Sequence, residues 1–119
     1  YEEPELLARC FQAWPQKADS RVPRMIRGYF EDMYLTFLAL RPLLKRRAKL
    51  ACVVGNVRHA GVMIPVDEIL AEVAEQAGYQ WIKTWIIRLR GNSAQQMGQY
   101  GRVPSRESVV FLERKGDER

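Results

Sequence analysis

The stretch from Arg90 to Glu107 carries the side chains best suited to chemistry in this sequence. It runs Arg-Gly-Asn-Ser-Ala-Gln-Gln-Met-Gly-Gln-Tyr-Gly-Arg-Val-Pro-Ser-Arg-Glu, without a carboxylate before its last residue. Guanidinium groups bind phosphates, and side-chain amides can form the paired hydrogen bonds that recognise base edges. A long segment without apolar periodicity inside a compact chain is usually either functional or disordered. We therefore predict a basic, donor-rich loop suited to phosphate or base-edge contacts.

The net charge of the chain is +5, and the excess is confined to one region. Between Gln76 and Arg106 there are five cations and no acid, whereas the other residues carry 14 basic and 14 acidic side chains. The five cations are Lys83, Arg88, Arg90, Arg102 and Arg106. A confined positive field attracts polyanions and steers their approach. The alternative is a solvated edge whose arginines bind no ligand.

The length and composition indicate a globular domain and exclude several kinds of protein and site. With 119 residues, 47% hydrophobic and 28% charged, the chain has the length and composition of one globular domain. Two cysteines are too few for a disulfide framework, so we expect reduced thiols and a cytoplasmic location. No apolar run has the length of a membrane span, so no membrane partner is expected. The single histidine, His59, has no acid or cysteine cluster at ligand spacing, so no metal site is predicted.

Apolar periodicity predicts three helices, at Tyr1–Trp14, Pro23–Arg41 and Pro65–Ala77. In the third, Pro65 fits the first position and Gly78 fits the left-handed cap after the end. Asp67 and Glu68 fall in its first turn. Neighbouring side chains point about 100° apart on a helix, so we predict that both stabilise its N-terminus and do not form a catalytic pair.

Three strands are predicted, at Lys49–Gly55, Tyr79–Leu89 and Ser108–Leu112. The first is apolar without alternation, which is typical of a strand of a parallel sheet covered on both faces. Val57–Met63 is predicted as a loop after it. Ligands of open α/β sheets bind beyond the carboxyl ends of strands, so Asn56, Arg58 and His59 are expected near a cleft.

The predicted fold class is α/β, a partial Rossmann-like sheet of about three strands with flanking helices, the last strand being antiparallel in a hairpin. We expect residues 23–114 to form the core, 1–22 a helical lead-in and 115–119 a polar tail. Three strands do not complete a doubly wound sheet. The chain is therefore expected to be a single domain or the later half of a catalytic domain.

The order of these segments resembles the later half of class I S-adenosylmethionine-dependent methyltransferases, most of all the bacterial and archaeal DNA methylases that modify an amino group of adenine or cytosine. In that family the last two strands form a hairpin, and the final strand often opens with Arg-x-Glu or His-Glu. The segments that carry the resemblance are Lys49–Asn56, Ile64–Leu70, Ala77–Tyr79, Arg88–Asn92 and Arg106–Leu112. The resemblance covers roughly residues 24 to 114.

Three family features are absent from the sequence. It has no Asp, Asn or Ser followed by Pro-Pro and an aromatic residue, and no Gly-rich cofactor loop after a first strand. The usual Lys-Pro-Gly-Gly turn is replaced by Arg41–Arg47. The resemblance therefore implies that the catalytic residues, the S-adenosylmethionine motif and the remainder of the domain lie upstream or, in a permuted order, downstream.

The resemblance also implies a role for the loop. Such enzymes extrude the target base from the duplex, and the final hairpin projects beside the active site. The candidate nucleic-acid or substrate-binding residues are Asn56, Arg90, Asn92, Gln95, Gln96, Tyr100, Arg102 and Arg106. The amides would read base edges, Tyr100 would stack, and the arginines would hold phosphates. The alternative is that Asn92 supplies a turn, that Tyr100 caps the core, and that Arg106 pairs with Glu107 or Glu113.

DNA is the partner that the resemblance implies, with RNA as the second possibility. Two other functional classes remain open. One is a methyltransferase of the same fold acting on RNA or a small molecule. The other is a basic nucleic-acid-binding module without catalysis.

Overall fold

The computed structural model describes residues 1–15, 19–90 and 105–116, apart from the side chains of Arg90 and Ser105. The helices and strands are α1 (Glu5–Gln12), α2 (Arg21–Leu40), a short 3-10 helix (Arg41–Leu43), β1 (Lys49–Gly55), β2 (Val57–His59), β3 (Val62–Ile64), α3 (Val66–Gln76), β4 (Tyr79–Arg90) and β5 (Ser105–Arg114). The architecture is α/β, with helices packed on a small sheet. It confirms the predicted fold class and is compatible with part of a Rossmann-like fold.

The described part of the main sheet has the strand order β1-β5-β4. The last strand is inserted between the other two and is antiparallel to both, with Leu50 opposite Leu112 and Thr84 opposite Val110. Because β1 and β4 are both antiparallel to β5, they run parallel to each other. β4 and β5 form the predicted hairpin. The register between them shifts twice, between Trp81 and Lys83 and between Ile86 and Arg88.

The hydrophobic core lies between the helices and one face of this sheet. β5 contributes alternate residues, Val110 and Leu112, which are fully buried. Phe30 and Phe37 from α2 and Leu70 from α3 are buried in the same cluster, which also includes residues of α1. Alternation follows from the strand period of two, which points successive side chains to opposite faces.

The third helix forms where its sequence signals predict it. Pro65 precedes its first residue, and Asp67 and Glu68 lie in the first turn. Gly78 follows its end with a φ of 99°, a left-handed conformation that glycine adopts without a Cβ clash. The backbone nitrogen of Gly78 donates to the carbonyl of Glu75 and closes the last turn. Tyr79 then begins β4 and donates its hydroxyl proton to the carbonyl of Phe37 at 2.7 Å.

Two strand predictions differ from the structure. The predicted loop Val57–Met63 contains the hairpin β2–β3, in which Ala60 and Gly61 both have positive φ angles and form the tight turn. β1 is not buried on both faces: Leu50 and Cys52 pack against the core, whereas Ala51 and Val53 are exposed. Most residues of β4 beyond Tyr79 are also exposed. β1 is exposed on one face because the described helices cover only the other.

No helix in the described ranges is long and apolar enough to cross a membrane.

Candidate functional site

Four chain segments meet at one edge of the sheet. Because β1 and β4 are parallel and β5 is antiparallel to both, β1 and β4 end at the edge where β5 begins. Gly55 lies opposite Glu107, and Arg90 lies opposite Ser105. The N-terminus of α3 reaches the same edge, since its Asp67 contacts Arg106. This is the edge beyond which open α/β sheets bind ligands.

Asp67 is the centre of a buried polar cluster at this edge. Its carboxylate is fully buried and accepts hydrogen bonds from Arg106 Nε at 2.8 Å and Nη2 at 3.0 Å. Ser108, also fully buried, donates its hydroxyl proton to Asp67 at 2.8 Å. The backbone nitrogen of Glu68 donates to the same carboxylate at 2.8 Å. A buried carboxylate is stable only when it is paired and hydrogen-bonded in this way.

Asn56 joins the cluster to the end of β1. Its backbone nitrogen donates to the carbonyl of Arg106 at 2.9 Å, which extends the β1–β5 pairing by one residue. Its side-chain oxygen accepts a hydrogen bond from the backbone nitrogen of Asp67 at 3.1 Å. This bond satisfies one of the free N–H groups in the first turn of α3. Asn56 therefore holds β1, β5 and α3 together.

The electrostatics of the cluster favour the charged forms of Asp67 and Arg106. Burial acts to raise the pKa of Asp67, but hydrogen bonds from Arg106 and Ser108 outweigh it, so the pKa lies below its ordinary value. The hydrogen bonds to Asp67 raise the pKa of Arg106. Asp67 is consequently an ionised, fully bonded carboxylate, and its chemistry is that of a structural clamp and not of a general base.

A second ion pair crosses the two strands of the final hairpin. Arg88 Nε lies 3.2 Å from Glu107 Oε1. Together with the Asp67–Arg106 pair, it fixes both strands close to the point where residues 91–104 join them. The hairpin base is therefore held to α3 on one side of the sheet and across the strands on the other.

An apolar groove of about 450 Å³ lies beside the end of β1. Met25 and Tyr29 of α2 line one side, and Val53 and Gly55 of β1 line the other. The lining is almost entirely apolar, with Tyr29 as its one residue that carries a polar side chain. The groove suits an apolar or aromatic group and supplies no charge to hold an ionic one.

The candidate residues divide into two groups. Asn56 and Arg106 lie together in the Asp67 cluster. The backbone of Arg90 ends β4, and its side chain lies outside the described part of the structure. The remaining candidates, Asn92, Gln95, Gln96, Tyr100 and Arg102, also lie outside the described residues.

Two other residues predicted near a cleft, Arg58 and His59, lie in strand β2 of the β2–β3 hairpin. His59 ends β2, and its ring stacks on Trp14 with the centroids 5.5 Å apart. Arg58 lies opposite Met63. In the described ranges, no group of three or more His, Cys, Asp or Glu side chains could hold a metal ion.

Arg106 and Asn56 were candidates on sequence grounds, but their contacts with Asp67 were not predicted. It assigned Asp67 to the helix dipole, whereas the structure pairs it with Arg106, and neither proposed partner, Glu107 or Glu113, takes that place. A signal for Ser108 was present, since it is a polar residue in the buried phase of β5. A buried hydroxyl there requires a hydrogen-bond partner from another element.

Comparison with known proteins shows that most of this chain is similar to Type II methyltransferases. The chain is 44% identical over 91 residues to the Type II methyltransferase M.BsoBI of Geobacillus stearothermophilus. It is 42% identical over 89 residues to the Type II methyltransferases M.AvaI of a Nostoc species and of Anabaena variabilis. These matches cover 76% and 74% of this chain but 18% of each relative. No family model matches the chain. No solved structure matches it.

The identity of 42–44% extends over about three quarters of the chain. The predicted resemblance is therefore confirmed: most of this chain is similar to a segment of Type II methyltransferases, and it spans about a fifth of their length.

Proposed function

We propose that this chain is part of a DNA methyltransferase that transfers a methyl group from S-adenosylmethionine to an exocyclic amino group of a base. The observation that carries the proposal is the 44% identity to a Type II methyltransferase over 76% of the chain. The confinement of the net positive charge to residues 76–106, which include β4 and the start of β5, supports a nucleic acid as the substrate. The proposal includes a cytoplasmic location, which two free thiols support.

The contribution of this chain would be to position the substrate. An amino group inside a stacked duplex is out of reach, so the base must be extruded, at a cost of about a few kcal/mol. Contacts to the displaced nucleotide and its backbone offset that cost. Residues 91–104 connect the end of β4 to the start of β5, at the edge where open α/β sheets generally bind ligands, so we assign these contacts to them.

Each candidate residue takes a role that its chemistry supports. Asn92, Gln95 and Gln96 would contact base edges, and Tyr100 would stack on a base. Arg90 and Arg102 would hold phosphates. For Asn56 and Arg106, the contacts with Asp67 support a positioning role at the base of the hairpin.

The groove beside β1 does not fit S-adenosylmethionine by itself. That cofactor carries an amino acid moiety and a ribose, and both require charged or hydrogen-bonding partners. The groove beside β1 offers apolar side chains and the Tyr29 hydroxyl. We therefore assign binding of the cofactor to the rest of the enzyme.

A direct assay tests the proposal. The full-length polypeptide that contains these residues is incubated with S-adenosylmethionine labelled in its methyl group and with DNA, RNA or no nucleic acid. Digestion to nucleosides and mass spectrometry then identify the methylated base. We expect label on an amino nitrogen of adenine or cytosine in DNA.

The other products of this assay distinguish the alternatives. Label on a ring carbon would contradict the amino-group assignment, and label in RNA alone would contradict DNA as the substrate. Binding of nucleic acid without transfer of label would identify a non-catalytic module.

A further inference from the structure

Two buried side-chain nitrogen atoms in the described part of the chain have no hydrogen-bond partner, Trp14 Nε1 and Arg58 Nε. Both lie at the hairpin β2–β3, since Arg58 belongs to β2 and Trp14 stacks on the ring of His59, the next residue. Buried polar groups in native proteins are nearly always hydrogen-bonded, so each exception requires an explanation. A buried N–H group without an acceptor costs free energy. This hairpin is therefore where we expect an acceptor from outside the described residues.

The hairpin β2–β3 lies at the edge of the sheet where β1 ends. Its first residue, Val57, follows Asn56, whose backbone nitrogen extends the β1–β5 pairing. Its last residue, Ile64, lies opposite Val57, and α3 begins two residues later. The hairpin therefore connects the end of β1 to the first turn of α3, at the edge where open α/β sheets generally bind ligands.

Arg58 is the charged member of the two unbonded side chains. It is half-buried, so part of its side chain reaches the surface. The segment from Asn56 to Val66 contains no Asp or Glu that could compensate its charge. Of the arginine side chains described at this edge, Arg88 and Arg106 are each paired with an acid. Arg58 has no hydrogen bond or ion pair with any described residue.

The chemistry of an unpaired guanidinium group matches a phosphate. Its N–H groups form a planar fork that donates two parallel hydrogen bonds to phosphate oxygens. A carbonyl group accepts a hydrogen bond but leaves the charge of a partly buried cation uncompensated. We propose that Arg58 binds a phosphate of the DNA backbone at the end of β1, in addition to the contacts assigned to residues 91–104. This inference rests on the proposed function, which supplies DNA as the substrate.

The stability of the protein without DNA gives the first test. Arg58→Met keeps an unbranched stem but removes the charge and the buried N–H group that lacks an acceptor. We therefore expect this substitution to raise the midpoint of thermal unfolding of the full-length polypeptide in the absence of DNA. Arg24→Met, at an exposed position of α2, is the matched control and should leave the midpoint unchanged.

DNA binding gives the second test. A contact to phosphate carries no sequence information, so a fluorescein-labelled duplex of arbitrary sequence serves as the probe. Its anisotropy is measured with the full-length polypeptide at several salt concentrations and without cofactor. We expect Arg58→Met to weaken binding about tenfold and to reduce the salt slope by about 0.9. Arg58→Lys keeps the charge and should restore most of the slope, and Arg24→Met should not change it.

Three results would overturn the proposal. The first is an unchanged salt slope in Arg58→Met. The second is a lowered unfolding midpoint together with a loss of slope that Arg58→Lys does not restore, because the substitution would then act through folding. The third is weaker binding of S-adenosylmethionine by Arg58→Met with DNA binding unchanged, which would identify the carboxylate of the cofactor as the bound anion.

Methyl transfer by the wild-type protein is measured in parallel. Transfer of label to DNA, with an unchanged salt slope in Arg58→Met, would overturn the Arg58 site alone. A reduced slope in a protein that binds DNA but transfers no label would overturn the proposed function and leave the phosphate site in place.

Discussion

Arg106 donates two hydrogen bonds to the buried carboxylate of Asp67, 39 residues earlier in the chain. The pair joins the start of β5 to the first turn of α3. Since residues 91–104 directly precede this part of β5, the pair also sets where one end of that segment leaves the sheet. A cation that the sequence offers as a phosphate ligand thus has an internal partner in the folded chain.

Removal of the Asp67 carboxylate should destabilise the edge of the sheet. Asp67→Ala removes the main partner of Arg106. The expected loss in the free energy of unfolding is about 3 kcal/mol, the lower end of the range for a buried ion pair. The lower end applies because the side chain of Arg106 is 31% exposed. Amide hydrogen exchange in β5 should accelerate roughly a hundredfold in the full-length protein.

Glu68→Ala is the matched control for this change. The Glu68 side chain is 60% exposed and lies 3.7 Å from Arg106. Its loss should cost less than about 1 kcal/mol. Equal effects of the two substitutions would contradict the assignment of Asp67 as the central residue.

The Asp67 pair should also make stability depend on pH in the acidic range. The folded-state pKa is depressed, so the contribution is fully present above the unfolded pKa of about 3.9 and is lost as the pH falls through the folded pKa. The stability difference between wild type and Asp67→Asn should be constant above about pH 5 and shrink below about pH 4. Urea unfolding across this range measures it. A difference that stays constant down to about pH 2 would show that the folded-state pKa of Asp67 is not depressed.

Two glycine substitutions should have opposite effects. Gly78→Ala places a Cβ at a φ of 99° and against the side chain of Arg41, so it should destabilise the protein by about 1–2 kcal/mol or more. Gly28→Ala lies inside α2 with no neighbouring atom within 4 Å of the new Cβ, so it should stabilise the helix by about 0.5–1 kcal/mol. Thermal unfolding shows whether each variant is more or less stable than the wild type. Stabilisation by Gly78→Ala would contradict the left-handed cap.

Binding of DNA should respond to the arginines at the hairpin. Replacing Arg90 and Arg102 with alanine should weaken binding by the full-length protein and reduce the salt slope by about 2, because each phosphate contact contributes about 0.9. Arg24→Ala, an exposed cation on α2, is the control and should leave the slope unchanged. Fluorescence anisotropy at several salt concentrations measures it. An unaltered slope in the double variant would mean that neither arginine contacts phosphate.

Arg106→Ala is expected to differ from that pair of substitutions. Its guanidinium group is bound to Asp67, so we expect the stability loss of the Asp67 cluster together with altered DNA binding. Weaker DNA binding with no change in β5 hydrogen exchange would contradict its positioning role.

Much of this molecule follows from local sequence patterns. The 3.6-residue period located all three helices, and Pro65 and Gly78 predicted the limits of α3 to within one residue. The position of the charge excess and the similarity to methylases are also properties of the sequence, since neither depends on how the chain folds. Local signals suffice here because caps and helix faces involve residues three or four positions apart.

Only the tertiary structure showed which residues that are distant in the sequence contact each other. The partner of Asp67 lies in a strand 39 residues away, and the insertion of β5 between β1 and β4 is a matter of topology and not of local propensity. The three-residue strands β2 and β3 are too short to show a period, so their pairing through the Ala60–Gly61 turn was missed. The apolar pattern of β1 indicated cover on both faces, and the structure showed which face the described helices cover. A local pattern does not contain that information, because burial depends on contacts between elements that are distant in the sequence.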